Sequence, residues 1–247
     1  MIQAALFTWV QGADFYREVH QAAVEQLPRG DGQTWLDVGS GPGLVARLAA
    51  QRGYQTIGLD YDAPMIQAAK RLAKRQRLSI EFKVGDVFNL PAESADVVSA
   101  ASLLAVLDDK VRGLQALWGS VRPGGALLII EPTEQMTIEN ANQLIKSGLG
   151  GKRIKGLRMW AAARLGNTIA PALYDTLGVP LEFMPLLSGL VGAWVIRKSR
   201  QFCNRWSLQR PWIESIRGRC ILIGFCHLTS ECDKHKIVNT VNYFEHI

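Results

Sequence analysis

The sequence predicts an α/β fold: a doubly wound, mostly parallel sheet with helices on both faces, an antiparallel last strand and a helical insertion acting as a lid. Three observations predict it. Short apolar runs rich in β-branched residues alternate with segments whose apolar positions recur at helical spacing. The stretch TWLDVGSGPG, from Thr34 to Gly43, ends a strand in three glycines spaced G-x-G-x-G, and LVARLAAQR behind it reads as a helix. Two further strands end in Asp60 and Asp86, and parallel strands bring such C-terminal carboxylates to the edge that already holds Asp37.

Taken in order, residues 13–26 read as a helix that stops at Pro28, with Phe15 and Tyr16 expected in the core and His20 at a solvated position. In the turn after the first strand, Gly39, Gly41 and Gly43 permit φ > 0 and close approach of a ligand. The helix start behind them points unpaired N–H groups into the turn. These residues alone fit either the floor of a nucleotide-like pocket or an ordinary strand-to-helix connection with glycines for packing. The helix runs to Arg52, and QTIGLD forms the second strand. Asp62 is the expected N-cap of the next helix, with Pro64 in its first turn. Its late cations, Lys70, Arg71, Lys74, Arg75 and Arg77, suit the helix dipole and a solvated face.

The third strand is expected over 79–84, with Gly85 freeing the backbone before Asp86 and Val87. The fourth covers 96–100 and leads into SLLAVLDD; 110–121 is a helix, VRPGG a turn, and ALLIIE a fifth strand buried on both faces. Glu131 and Thr133 emerge at the same edge as the carboxylates. Residues 134–178 exceed a minimal crossover and hold two expected helices, 139–147 and 157–176, the second kinked or ended by Pro171. The basic residues Lys146, Lys152, Arg153, Lys155, Arg158 and Arg164 of this lid form a solvated face, or one that attracts an anionic substrate, a membrane surface or RNA. Residues 180–187 and 190–198 close the sheet as an antiparallel pair.

The expected organisation is thus a domain over 1–199 and a C-terminal extension over 200–247. The extension holds all four cysteines and three of the four histidines. A zinc site from Cys226, His227, Cys232 and His235 lacks any C-x-x-C pair and matches no common zinc spacing, so no metal is expected. CILIGFCHL could form one strand. A net charge of +6 is too mild to require a nucleic-acid partner, and no apolar run reaches membrane-helix length. With no basic apolar leader at the N-terminus, a cytoplasmic protein is expected.

The ordered set LDVGSGPG, GLDYD, VGDVFNLP, ADVVSAASLLAVLDD and VRPGGALLIIEP resembles the motifs of class I S-adenosylmethionine-dependent methyltransferases, most closely the small-molecule enzymes of the ubiquinone/menaquinone type. The resemblance runs from about Phe15 to Ser199 and implies a Rossmann-like, seven-stranded sheet with S-adenosyl-L-methionine as cofactor. It implies that Asp37 and the Gly39-Ser40-Gly41 backbone hold the cofactor's amino-acid end, with Gly43 completing the turn. Asp60 would accept from both ribose hydroxyls, Tyr61 would cover the adenine, Asp86 would receive the adenine amino group, and the Val87 N–H would meet a ring nitrogen. Ser102 lies where the methionine end of the cofactor meets the substrate cavity. Where relatives often carry a histidine pair, this chain has Ala105 and Val106, which removes an obvious proton acceptor.

The activity implied is methyl transfer to a small-molecule acceptor by in-line displacement, which needs alignment and exclusion of water more than a general base. No catalytic residue is therefore named; Ser102, Glu131 and Thr133 are candidates for substrate contact by position. Two alternatives stand beside this reading. One is a non-catalytic partner subunit or RNA-associated module built on the same cofactor-binding fold. The other is an NAD(P)-binding oxidoreductase, from whose G-x-G-x-x-G fingerprint the chain departs by having Leu44 in the third small position.

Overall fold

A strand covered on both faces must be apolar or have its polar groups hydrogen-bonded, and β1 (Thr34–Val38) is buried at every position after the first, the hydrogen-bonded Asp37 included. In the computed structural model, which describes residues 8–200 and the backbone of 213–216 and 219–222, β1 is central. The chain divides into two compact units, Met1–Phe202 and Cys203–Ile247.

In the first unit, α1 (Asp14–Val24) precedes β1, and then come α2 (Leu44–Gln51), β2 (Gln55–Asp60), α3 (Ala63–Arg75), β3 (Glu81–Val84), β4 (Ala95–Ala101), α4 (Lys110–Gly119) and β5 (Val121–Pro132). The lid follows as α5 (Ile138–Lys146), α6 (Lys155–Ala163) and α7 (Ala172–Asp175), ahead of β6 (Leu181–Leu186) and β7 (Val191–Arg197). The seven strands lie in the order β3-β2-β1-β4-β5-β7-β6. The first five pair in parallel and β7 runs antiparallel to both β5 and β6. The order reverses between β1 and β4, and such a switch point leaves a crevice at the strands' C-terminal ends.

Strand periodicity sends alternate residues to opposite faces. Trp35, Leu128 and Ile130 join α1, α2 and the lid residues Leu157 and Trp160 in one apolar cluster. Leu36, Leu127 and Ile129 join Leu114 and Leu117 of α4 in the other. Helices thus cover both faces.

Three details differ from the expectations. VRPGG is not a turn ahead of β5 but an irregular start within it, where pairing jumps from Ala95↔Val121 to Val97↔Ala126. Gly124 bulges there with φ +84° and donates its N–H to the Lys198 carbonyl. The second lid helix ends at Ala163 rather than continuing to 176, since Gly166 turns with φ +77° and Pro171 restarts the chain as the N-cap of α7. Asp62 holds the N-cap position of α3 without a side-chain capping bond.

In the second unit, β8 (Ile213–Ile216) and β9 (Arg219–Leu222) form an antiparallel pair. The Cys226, His227, Cys232 and His235 set lies outside the described residues.

Candidate functional site

The glycine turn sits at the C-terminal end of β1, where Gly39, Gly41 and Gly43 all adopt positive φ, +66°, +52° and +78°. A Cβ on Gly39 would come within 2.8 Å of Leu103, and one on Gly43 within 2.8 Å of the Phe82 ring. At Gly41 the nearest atom would be Gln11 Nε2 at 3.6 Å, an ordinary contact, so the positive φ rather than crowding favours glycine here. Gly43 is the N-cap of α2 and has no side chain with which to satisfy the helix start. Asp37 does this from the strand, its Oδ2 accepting from the Ala46 N–H at 3.0 Å. Asp37 Oδ1 accepts from the Ser99 hydroxyl at 2.8 Å, and Ser99 Oγ accepts from Trp35 Nε1 at 2.8 Å. Burial pushes the Asp37 carboxyl up to about 7 against the opposing pull of these hydrogen bonds.

Asp60, buried at the end of β2, locks onto the same turn. Its Oδ2 accepts from the Gly41 N–H at 2.7 Å and its Oδ1 from the Asp62 N–H at 2.9 Å. Burial raises its pKa as well. Tyr61 beside it is 81% exposed. Asp86 is exposed at the end of β3, its Oδ1 accepting from the Phe88 N–H at 3.0 Å, while Val87 is buried. Asp37 and Asp60 are thus joined through the turn, and Asp86 stands on the neighbouring strand with one oxygen tied to its own loop.

Across the turn, Gln11, Tyr16 and His20 enclose a small space with Asp37, Gly39 and Ser40. Within it the Ser40 hydroxyl and Gln11 Oε1 are buried without a partner. His20 does not occupy a solvated position. It is 1% exposed, stacks on Tyr16 at 4.1 Å and sits on the stripe Tyr16, Val19, His20, Ala23 that α1 turns inward. Its Nδ1 must carry the hydrogen, because its partner at 2.7 Å is the Tyr16 carbonyl, which only accepts.

Burial lowers the His20 pKa from 6.5 to about 4. Between those values the unfolded chain binds a proton that the folded chain refuses, so this group's contribution to stability falls as pH drops through the window. In urea unfolding at pH 7 and pH 4, wild type is expected to lose about 3 kcal/mol more than His20→Asn, which keeps a donor for the Tyr16 carbonyl. Equal losses would contradict the buried neutral imidazole.

Beyond β4 the chain turns at Ser102, whose φ of +55° is unusual for a residue with a side chain. Glu131 is fully buried, and Oε1 accepts from the Leu104 N–H at 2.7 Å, fastening the loop after β4 to the end of β5. Thr133 serves the local chain path, donating its hydroxyl to the Gly189 carbonyl at 2.6 Å. Arg164 is not on the solvated lid face; it is 5% exposed and donates from Nη2 to the Ser102 carbonyl at 3.0 Å. The signal for it is its place on the stripe Leu157, Trp160, Ala161, Arg164, spaced for one helix face.

Residues 36–129 match the methyltransferase domain family. The ubiquinone biosynthesis O-methyltransferase of Coxiella burnetii is 31% identical over 106 residues, 42% of this chain and 45% of that one. The tRNA 5-carboxymethoxyuridine methyltransferase of Escherichia coli is 34% identical over 100 residues, 38% of each chain. The chain therefore spans less than half the length of these curated relatives. Among solved structures, the magnesium protoporphyrin IX methyltransferase of Synechocystis with bound S-adenosylhomocysteine superimposes with a TM-score of 0.57 at 14% identity, covering 80% of this chain and 95% of that one. The match to the methyltransferase domain family thus covers residues 36–129, and the strand order and glycine turn agree with it in showing the fold of the solved methyltransferase structures.

Proposed function

We propose that this chain catalyses methyl transfer from S-adenosylmethionine to a small-molecule acceptor by in-line displacement. The observation that carries the reading is the pairing of Asp60 with the Gly41 N–H, which holds a buried carboxylate and a glycine turn as one preformed cradle. The cradle suits the cofactor. Ser40 Oγ and Gln11 Oε1 have unmet hydrogen-bonding capacity, and the acids Asp37 and Asp60 favour a cation. Asp37 and the backbone of Gly39, Ser40 and Gly41 would hold the amino-acid end, and Gly43 shapes the turn. Asp60 would take the ribose hydroxyls, Tyr61 would cover the adenine ring, and Asp86 with the Val87 N–H would take its edge. Ser102 would face the reacting end.

When bound, S-adenosylmethionine supplies an electrophilic methyl group on a sulfonium. The residues of this chain orient it, and the Phe15, Tyr16, His20 and Trp160 cluster under α6 excludes water. The E. coli relative modifies tRNA, and exposed Lys155 and Arg158 on α6 favour RNA as the second reading of the acceptor.

Isothermal titration of the purified protein with S-adenosylmethionine and, separately, NADH tests the reading. Micromolar binding of the first alone supports it; a folded sample that binds only NADH, or neither, overturns it. A screen of radiolabelled methyl transfer to small phenols and to bulk tRNA then separates the two acceptor classes. A pH dependence is also expected. The cofactor's positive charge drives the Asp37 proton off, so affinity rises with pH until the free carboxyl is ionised near 7. Affinity at pH 6 is expected to be about tenfold weaker than at pH 8, with proton release seen by titrating in two buffers, and Asp37→Asn is expected to abolish both effects.

A further inference from the structure

Where α1 packs on α2, a groove of about 260 Å³ is left open that shares no residue with the small space around the glycine turn. Buried Val24 and Leu48 line it with three guanidiniums, those of Arg17, Arg29 and Arg52. The acid beside them, Glu25, already accepts from Gln21 Nε2 at 3.0 Å, and the groove keeps a balance of two positive charges. Among the described residues none of the three arginines forms an ion pair within 4.0 Å. Arg52 donates from Nη2 to the Leu27 carbonyl, and its Nε is buried without a partner. A helix C-terminus attracts cations, which accounts for Arg52 as the C-cap of α2. It does not account for Arg17. That residue stands in the first turn of α1, where the helix dipole disfavours a positive charge. It also comes close to a fourth guanidinium: burial first and the Arg17 charge second pull the Arg47 pKa down to about 10. Like charges gather in this seam without the counter-charge that would offset their repulsion.

We propose that this groove binds a small phosphate dianion, a phosphate monoester or a diphosphate, through Arg17, Arg29 and Arg52. Charge, donor geometry and size point the same way. The balance of two positive charges matches a dianion. A planar guanidinium meets two phosphate oxygens at once, and the unpartnered Arg52 Nε with the forks of Arg17 and Arg29 offers more N–H groups than one carboxylate has oxygens to meet. The groove lies just under the roughly 300 Å³ at which pockets for drug-sized ligands begin, so it has room for a phosphorylated head and not for a whole nucleotide. A free metabolite or a lipid headgroup can present this group, and the recognition chemistry is the same for both.

The test is isothermal titration of the full chain with sodium diphosphate, alone and with S-adenosylhomocysteine present, in a buffer free of other multivalent anions. Saturable binding that S-adenosylhomocysteine leaves unchanged is expected, with malonate, a dianion without phosphate geometry, about tenfold weaker or more. Arg17 and Arg29 are exposed, and among the described residues their side chains make no hydrogen bond, so Arg17→Gln and Arg29→Gln should fold as wild type does. Each is expected to weaken diphosphate by about tenfold or more, the scale of one lost charged hydrogen bond. The paired control Lys70→Gln and Lys74→Gln, on an exposed basic face of α3, is expected to change nothing. Absence of saturable binding, equal weakening by the α3 pair, malonate binding as tightly, or displacement by S-adenosylhomocysteine overturns the proposal. Flotation with phosphatidylcholine vesicles, with and without phosphatidic acid, separates the two sources. Capture that needs both phosphatidic acid and Arg17 assigns a lipid headgroup; diphosphate binding without capture assigns a free anion.

Discussion

Asp60→Ala is expected to weaken S-adenosylmethionine binding by about 30- to 100-fold, or about 2 to 3 kcal/mol, with the fold retained. Two losses combine. The carboxylate that would meet the ribose hydroxyls disappears, and the Gly41 N–H loses the partner that fixes it at 2.7 Å, so the turn no longer stands ready. The lost cap on the Asp62 N–H lowers stability, but removing a buried carboxylate whose pKa burial already raises offsets part of that cost. Asp86→Ala makes the contrast. Asp86 is exposed and holds only the local Phe88 N–H, so about three- to tenfold is expected there. Calorimetric titration of both variants checks the order; equal effects, or none at Asp60, would count against the cradle.

How far the sequence reveals this site depends on what each residue's surroundings decide. The glycine turn, β2 over Gln55–Asp60 and the edge carrying Asp37, Asp60 and Asp86 are legible because positive φ, strand direction and apolar runs are local properties. Arg164 and His20 defy expectation for the opposite reason. Their side-chain chemistry argues for solvent, while their positions on the inward stripes of α6 and α1 argue for burial, and the stripe wins because the whole helix face is buried with it. What Arg164 does at the end of α6, donating to the Ser102 carbonyl 62 residues away in sequence, is a contact that no local window contains. The start of β5 is hidden in the same way, since RPGG carries turn residues but lies against β4 and the Lys198 carbonyl.

Trp35→Ala is expected to cost about 3 to 5 kcal/mol in urea unfolding, a large share of the roughly 5 to 15 kcal/mol that holds an ordinary domain together. Trp35 is fully buried and packs edge-on against Tyr54 at 4.9 Å. It also starts a hydrogen-bond chain that runs through Ser99 to Asp37 and from there to the Ala46 N–H of α2. Packing and polar support therefore converge on the carboxylate beneath the glycine turn. Trp35→Phe separates them, since it keeps an aromatic ring and deletes the N–H, and about 1 to 2 kcal/mol is expected. Ser99→Ala removes the middle of the chain and takes from Asp37 a hydrogen bond that favours its ionised form, so the carboxyl should titrate still higher. In a double-mutant cycle, Trp35→Phe and Ser99→Ala should couple by about 1 kcal/mol, because either one breaks the same link. A coupling near zero would mean that packing alone positions Asp37, and the Ser99→Ala variant would then bind S-adenosylmethionine as wild type does.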